Sequence, residues 1–416
     1  MAVLKAFRGF RPVRELAARI ASRPYDVLSS DEARVEVDGN PYSFLHVVKP
    51  EVDLPPGTDH YADVVYEKGK ANLDKMMGDG IFFRDEGAYL YVYAQTMGVR
   101  TQYGLVGCAS IQDYRDNIIR KHELTRPDKE EDRKKHVRVS GFHAEPVFFA
   151  YPDHEQIDRI IADVVSGVPE YDFIAEDGIG HRLWVIRDEA KIRRLESIFA
   201  ADIPFTYVAD GHHRTAAAAG VGAELARANP AHTGEEEYNY FLAVHFPAGQ
   251  LNIIDYNRVV KDLNGLDEGE FLGRLAVAFE IEKKGKAVYK PGKLHHFGLY
   301  LSSTWYSLSA REGTYDDGDP IGRLDVTVLS KQVLEPLLGI HDLRKSKRID
   351  FVGGIRGLKE LERRVDSGEM KAAFALYPVS MDQLMEIADT NNIMPPKTTW
   401  FEPKLRSGLV IHKLTD

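Results

Sequence analysis

The chain is poor in the residues that would define several protein classes. Among 416 residues there is one cysteine, Cys108. This rules out an intrachain disulfide and a thiolate metal cluster, and the expected compartment is a reducing cytoplasm. Cys108 lies in the apolar run 104–109 and reads as a small core residue rather than a nucleophile. Positive charge is also lacking. The formal net charge is −10, which disfavours nucleic-acid binding through a broad basic surface. No apolar run approaches a membrane span, and the N-terminal residues do not form a secretion signal, so neither a membrane nor export is expected. Internal repeats and low-complexity tracts are absent from the sequence. What remains is ordinary globular composition, 44% hydrophobic and 28% charged, with enough length for two or three domains.

The stretch 205–220, F-T-Y-V-A-D-G-H-H-R-T-A-A-A-A-G, organises the reading. Its apolar, β-forming start predicts a buried strand, Asp210-Gly211 a turn, and the alanine run a helix close to a sheet. His212, His213 and Arg214 then fall in the first helical turn, where the dipole is positive and N–H groups lack partners. Basic residues are poorly placed there unless an anion joins them, so the spacing points to a phosphate site more than to a solvated corner. Asp210 is both a candidate helix cap and a candidate Mg²⁺ ligand. A metal held by His212 and His213 together is disfavoured, because adjacent histidines rarely aim at one ion.

Other stretches supply parts around this one. The segments 88–95 and 99–109 predict a hairpin about Gly98, with three tyrosines alternating on one face as a core wall or a base-stacking wall. His122-Glu123 precede a charged helix starting near Arg126, with Thr125 as its expected cap. A strand is expected at 147–151, helices at 154–165 and 188–200, and a hairpin from 240–246 and 251–256. Ser29 or Ser30 is expected to cap a helix from Asp31, and 40–45 to lead into a strand. Late in the chain, Pro395-Pro396 stiffen a loop carrying Lys397, Thr398 and Thr399.

These motifs carry two resemblances. Y-D-V-L at 25–28, H-E-L-T-R-P-D-K-E-E-D-R at 122–133, A-D-G-H-H-R at 209–214 and M-P-P-K-T-T-W-F at 394–401 resemble, end to end, the landmarks of the domain-of-unknown-function 1015 family. D-G-H-H-R, following a His-Glu segment, a charged helix and a Pro-Val strand, resembles the ParB/sulfiredoxin superfamily, nearest its free serine kinase branch. The resemblance implies an α+β (mixed α/β) fold. A ParB/sulfiredoxin-like phosphate-binding core at 101–230 would carry an insertion at 151–202. An N-terminal region 1–100 and a C-terminal region 231–416 would be α/β additions. It implies phosphoryl transfer from ADP or ATP, with Mg²⁺, to the hydroxyl of a small metabolite, L-serine first. Asp210, Gly211, His212, His213 and Arg214 would bind the nucleotide's phosphates. Glu123 would be the base for the hydroxyl, with His122 beside it, and Lys397, Thr398 and Thr399 would clamp the acceptor's carboxylate. The alternative is a non-catalytic, nucleotide-binding regulator of the ParB type. Sulfiredoxin chemistry is disfavoured, since Gly211 and His212 stand where that motif has its cysteine.

Overall fold

The computed structural model describes residues 1–415, which divide into two compact units, 1–251 with 403–415 and 252–402. The architecture is mixed α+β, as expected.

The first unit is built on an eight-stranded sheet. Its strands are β1 (Leu90–Met97), β2 (Arg100–Ser110), β3 (Ile119–Arg120), β4 (Val147–Tyr151), β5 (Tyr171–Ile174), β6 (Gly180–Ile186), β7 (Thr206–Asp210) and β8 (Tyr240–Pro247). The spatial order is β3-β7-β4-β8-β2-β1-β6-β5. The pairs β3–β7 and β4–β8 are parallel and the rest antiparallel. Among the described residues, the helices of eight residues or more that accompany it are α1 (Ser30–Val37), α2 (Asp63–Gly78), α3 (Pro127–Ser140), α4 (Glu155–Val165), α5 (Glu189–Asp202) and α6 (His212–Ala228). The β1–β2 hairpin turns on Gly98 at φ 61°, with Met97 opposite Arg100, which puts glycine first in a two-residue loop. The tyrosine face is core wall. Tyr91 and Tyr93 are buried, and their hydroxyls meet Asp85 at 2.6 Å and His181 at 2.7 Å. Residues 151–202 supply α4, β5, β6 and α5, and their strands extend the edge beyond β1. The stretch therefore leaves β4 and β7 side by side, Val208 opposite Phe149.

Ser29 caps α1 through a full capping box with Glu32, as its spacing predicts. Other local expectations are corrected. Residues 40–45 lead into a helical turn, Leu45–Val48, whose Leu45, Val47 and Val48 are all buried. Arg126, not Thr125, precedes α3, and the Thr125 hydroxyl donates to Glu130 Oε2 instead, at 2.9 Å. The hairpin from 240–246 and 251–256 does not form. Both edges of β8 are taken by distant strands, Tyr240 pairing with Ser110 and Val244 with Phe148. The residues after it turn away, Ile253–Ile254 pairing with Trp400–Phe401.

The second unit holds an antiparallel six-stranded sheet, ordered β10-β12-β11-β14-β9-β13. The strands are β9 (Tyr256–Val260), β10 (Phe279–Gly285), β11 (His296–Leu301), β12 (Thr304–Ala310), β13 (Ile349–Gly353) and β14 (Ala372–Ala375). β10 goes unanticipated because F-E-I-E-K-K-G offers only two apolar side chains. Trp305 is fully buried at the centre of this unit's core.

Candidate functional site

The site is assembled at the end of β7. Gly211 takes φ 94°, which turns the chain from strand into α6. Ala216 to Ala219 are buried, and the lack of larger side chains lets α6 lie close against Val208 and Phe149. Among the described residues no side chain caps α6, and its first turn holds no acid. A helix start presents N–H groups that no carbonyl of the helix itself takes. Two buried side-chain atoms beside it lack a partner. Arg214 Nε and His212 Nε2 are buried without a hydrogen-bond partner, a state that normally signals a missing ligand or water.

Arg214 folds back over the turn. A Cβ added to Gly211 would sit 3.2 Å from Arg214 Nε. The guanidinium also donates to the Pro146 carbonyl at 2.5 Å and lies 3.5 Å from Asp210 and 4.0 Å from Asp26. Lys404 approaches Asp210 from the other side, at 3.3 Å, its backbone carbonyl accepting from Gln95 Nε2 at 2.8 Å. Burial raises the Asp210 pKa, but Lys404 and Arg214 outweigh it and hold the carboxyl at about 2. Asp210 is therefore an anion held between two cations and does not act as the helix cap. Gly211→Ala would force a side chain into the left-handed region and against Arg214. It should destabilise the protein by roughly 1–3 kcal/mol, and a urea melt reads this directly.

The expected positive charge of the histidines is corrected. Burial lowers His212 well below its usual range and His122 to about 4, so both are neutral at pH 7. Their rings meet edge to face at 4.5 Å. His213 Nε2 accepts from the Arg126 backbone N–H at 3.0 Å, which places the ring's proton on Nδ1. The 122–126 segment thus lies across the start of α6, tied at His122 and again at Arg126. Glu123, half-buried, stands between the two ties.

Lys397, Thr398 and Thr399 belong to the second unit. There Thr398 is buried and donates to the Pro395 carbonyl at 2.6 Å, and the Lys397 ammonium lies 5.8 Å from the centre of the Tyr256 ring.

Sequence reasoning did not select Lys404, Asp26, Arg133 or Glu145. Tyr25 N–H donates to Glu145 at 3.1 Å, Arg133 lies 3.9 Å over the Tyr25 ring, and Glu145 is 3.5 Å from Arg133. The available signal was Y-D-V-L, which gives Tyr25 and Asp26 to this cluster. A small cavity of about 30 Å³, lined by Arg133, Glu145, His143 and Arg214, has room for a water behind the site.

The model of the family described as "Protein of unknown function (DUF1015)" matches residues 4–327. The chain belongs to this family. A search of curated proteins found no match. Several solved structures are similar to this DUF1015 chain. A conserved hypothetical protein from Pyrococcus furiosus is 15% identical, with 73% of this chain and 93% of that one covered, at a TM-score of 0.35. A free serine kinase in complex with AMP is 12% identical over 72% and 86%, at 0.34. C-terminally truncated SbnI from Staphylococcus aureus is 9% identical over 73% and 85%, at 0.40. At these TM-scores the activity has to be argued from the site itself.

Proposed function

We propose that this chain is a nucleotide-dependent small-molecule kinase that moves a phosphoryl group from ADP or ATP to a hydroxyl, with L-serine as the first acceptor to test. The observation that carries this is the uncapped start of α6, where Arg214 Nε and His212 Nε2 are buried and unpartnered. An anion of phosphate size at this helix start would take the Arg214 Nε–H and sit at the positive end of the α6 dipole. Lys404 and Arg214 supply the positive charge, and the neutral histidines supply shape and hydrogen bonding. Phosphoryl transfer needs little more from a protein than such neutralisation, alignment, and a place for the hydroxyl proton.

In the proposed step the acceptor oxygen bonds to the terminal phosphorus as the bond to the bridging oxygen breaks. The hydroxyl proton passes to the Glu123 carboxylate, and AMP leaves from ADP, or ADP from ATP. Among the described residues no three acids, histidines or cysteines group as metal ligands. Mg²⁺ fits only with Asp210 as its single carboxylate and the nucleotide and water completing its shell, a usual arrangement for that ion. It would then neutralise charge on the phosphates.

A thermal-shift series with ADP, ATP and CTP, with and without Mg²⁺, is the first test. A nucleotide at a hundred times its Kd adds about 2.7 kcal/mol, and a rise of roughly 5–10 °C is expected for ADP or ATP. No shift with any nucleotide would sink the proposal. Phosphorus NMR with serine then reads the transfer. Nucleotide binding with no transfer to any hydroxylated amino acid or polyol would favour the regulator.

A further inference from the structure

The first unit holds a second and larger cavity, of about 230 Å³. This lies below the ~300–1,000 Å³ of sites for drug-sized ligands. Its walls come from the start of α1, the turn through Lys49 and Glu51, the His60-Tyr61 loop, Tyr66 of α2, and one face of α3. That face presents Lys129, Asp132, Arg133 and His136.

Charged groups dominate these walls, and most are out of water. Glu51 is 6% exposed, Asp132 8% and Arg133 8%. Glu51 meets Lys49 at 3.0 Å and accepts from the Ser30 hydroxyl at 2.9 Å. Asp132 accepts from the Tyr66 hydroxyl at 2.7 Å and lies 2.9 Å from Arg133. Lys129 donates to the Tyr61 hydroxyl at 3.0 Å. Burying ion pairs is a poor route to stability, since apolar residues of like volume generally do as well or better. Around an open void the same groups have a different use. Lys49, Lys129 and Arg133 stand with Glu51 and Asp132 on these walls, so both signs of charge are present. An apolar ligand would cut them off from water and give them nothing in return. A ligand carrying one anionic and one cationic group would face both.

The cavity also shares walls with the surroundings of Arg214. Tyr25 lines it, and the next residue, Asp26, lies 4.0 Å from Arg214. Arg133 and His136 line both this cavity and the small one behind Arg214. His60 and Tyr61, 57% and 45% exposed, stand at its outer side.

We infer that this cavity binds a free α-amino acid with a small polar side chain, its carboxylate against Lys49 and Lys129 and its ammonium between Glu51 and Asp132. The hydroxyls of Ser29, Ser30 and Tyr66 are at hand for the side chain. The role of this amino acid as phosphoryl acceptor rests on the kinase reading, but its binding does not.

The experiment is titration calorimetry on the full chain without nucleotide, using L-serine and then the other proteinogenic amino acids. Ethanolamine, which lacks the carboxylate, and glycerate, which lacks the ammonium, are the controls. Saturable binding of L-serine or another small polar amino acid is expected, with both controls at least tenfold weaker. Lys49→Met should weaken binding at least tenfold and leave the nucleotide thermal shift unchanged. If that variant shows no cooperative melt, Lys129→Met makes the same test from the surface of α3. The inference is overturned if folded wild type binds no amino acid, if glycerate binds as well as serine, or if the lysine variants bind within twofold of wild type. Binding without phosphoryl transfer would end the kinase reading and keep the cavity. Transfer to serine with KM unmoved in the lysine variants would do the reverse.

Discussion

Glu123→Gln is expected to slow nucleotide-dependent phosphorylation by ~10²–10⁴-fold, the usual contribution of a positioned general base. Nucleotide affinity should stay within about twofold. Glutamine keeps the size of the side chain and its ability to orient a hydroxyl, but it cannot take the proton. The segment is held on both sides of the substitution, by the His122 ring against His212 and by the Arg126 N–H on His213. A change of fold is therefore not the expected cause of any loss. Single-turnover transfer to serine and nucleotide thermal shift, measured on the same preparation, separate the two effects. A glutamine variant within threefold of wild type would remove Glu123 from the chemistry. The proton would then need another destination.

The second large effect is on stability. The first unit should lose its fold between about pH 6.5 and 4, before most carboxylates titrate. Burial lowers His122 and His136 to about 4 and His181 and His245 to about 3, and it takes His143 and His212 well below their usual range. In the unfolded chain each returns to about 6.5. Across that window the unfolded state binds more protons, so stability is complete above pH 6.5 and falls as the pH falls. Each group contributes up to ~1.4 kcal/mol per pH unit, hence about 2 kcal/mol by pH 5. Six such groups acting together reach about 12 kcal/mol by pH 5, comparable with the ~5–15 kcal/mol that holds a typical domain. His245 is the cleanest probe. It is fully buried between Phe149 and Phe199, and neither ring nitrogen has a hydrogen-bond partner among the described residues. His245→Leu should move the acid midpoint to lower pH and raise stability at pH 7 by ~1 kcal/mol. Urea melts at pH 8, 6.5 and 5 test both statements. Equal midpoints at pH 8 and 5 would contradict the titration argument.

The centre of the site was legible because its cues are local. An apolar run, a glycine and an alanine run fix strand, turn and helix within about twenty residues, and the helix dipole makes the following basic residues informative. Pro127 likewise marks the first turn of α3. What could not be read depends on burial and on pairing across the chain. No pattern in D-G-H-H-R says that His212 is stripped of its proton by its surroundings, or that Arg214 turns back to the Pro146 carbonyl. Lys404 follows a loop from which Lys397 was chosen. The two look alike until tertiary structure sets Lys404 beside Asp210. The fate of β8 has the same origin. A strand followed by another strand-like run reads as a hairpin, and only the filled edges at β2 and β4 exclude it.

The first unit is discontinuous, because residues 403–415 return to it after 252–402. On a ribosome this orders events. The large sheet can pair while the second unit is still being made, but Asp210 then lacks its lysine and Glu237 waits for His412, its partner at 2.8 Å. The nascent chain would pass through a period in which Asp210 has only one of its two cations, Arg214, a state open to chaperones and proteases. A lysine translated after the whole second unit is thus the one that stands against Asp210.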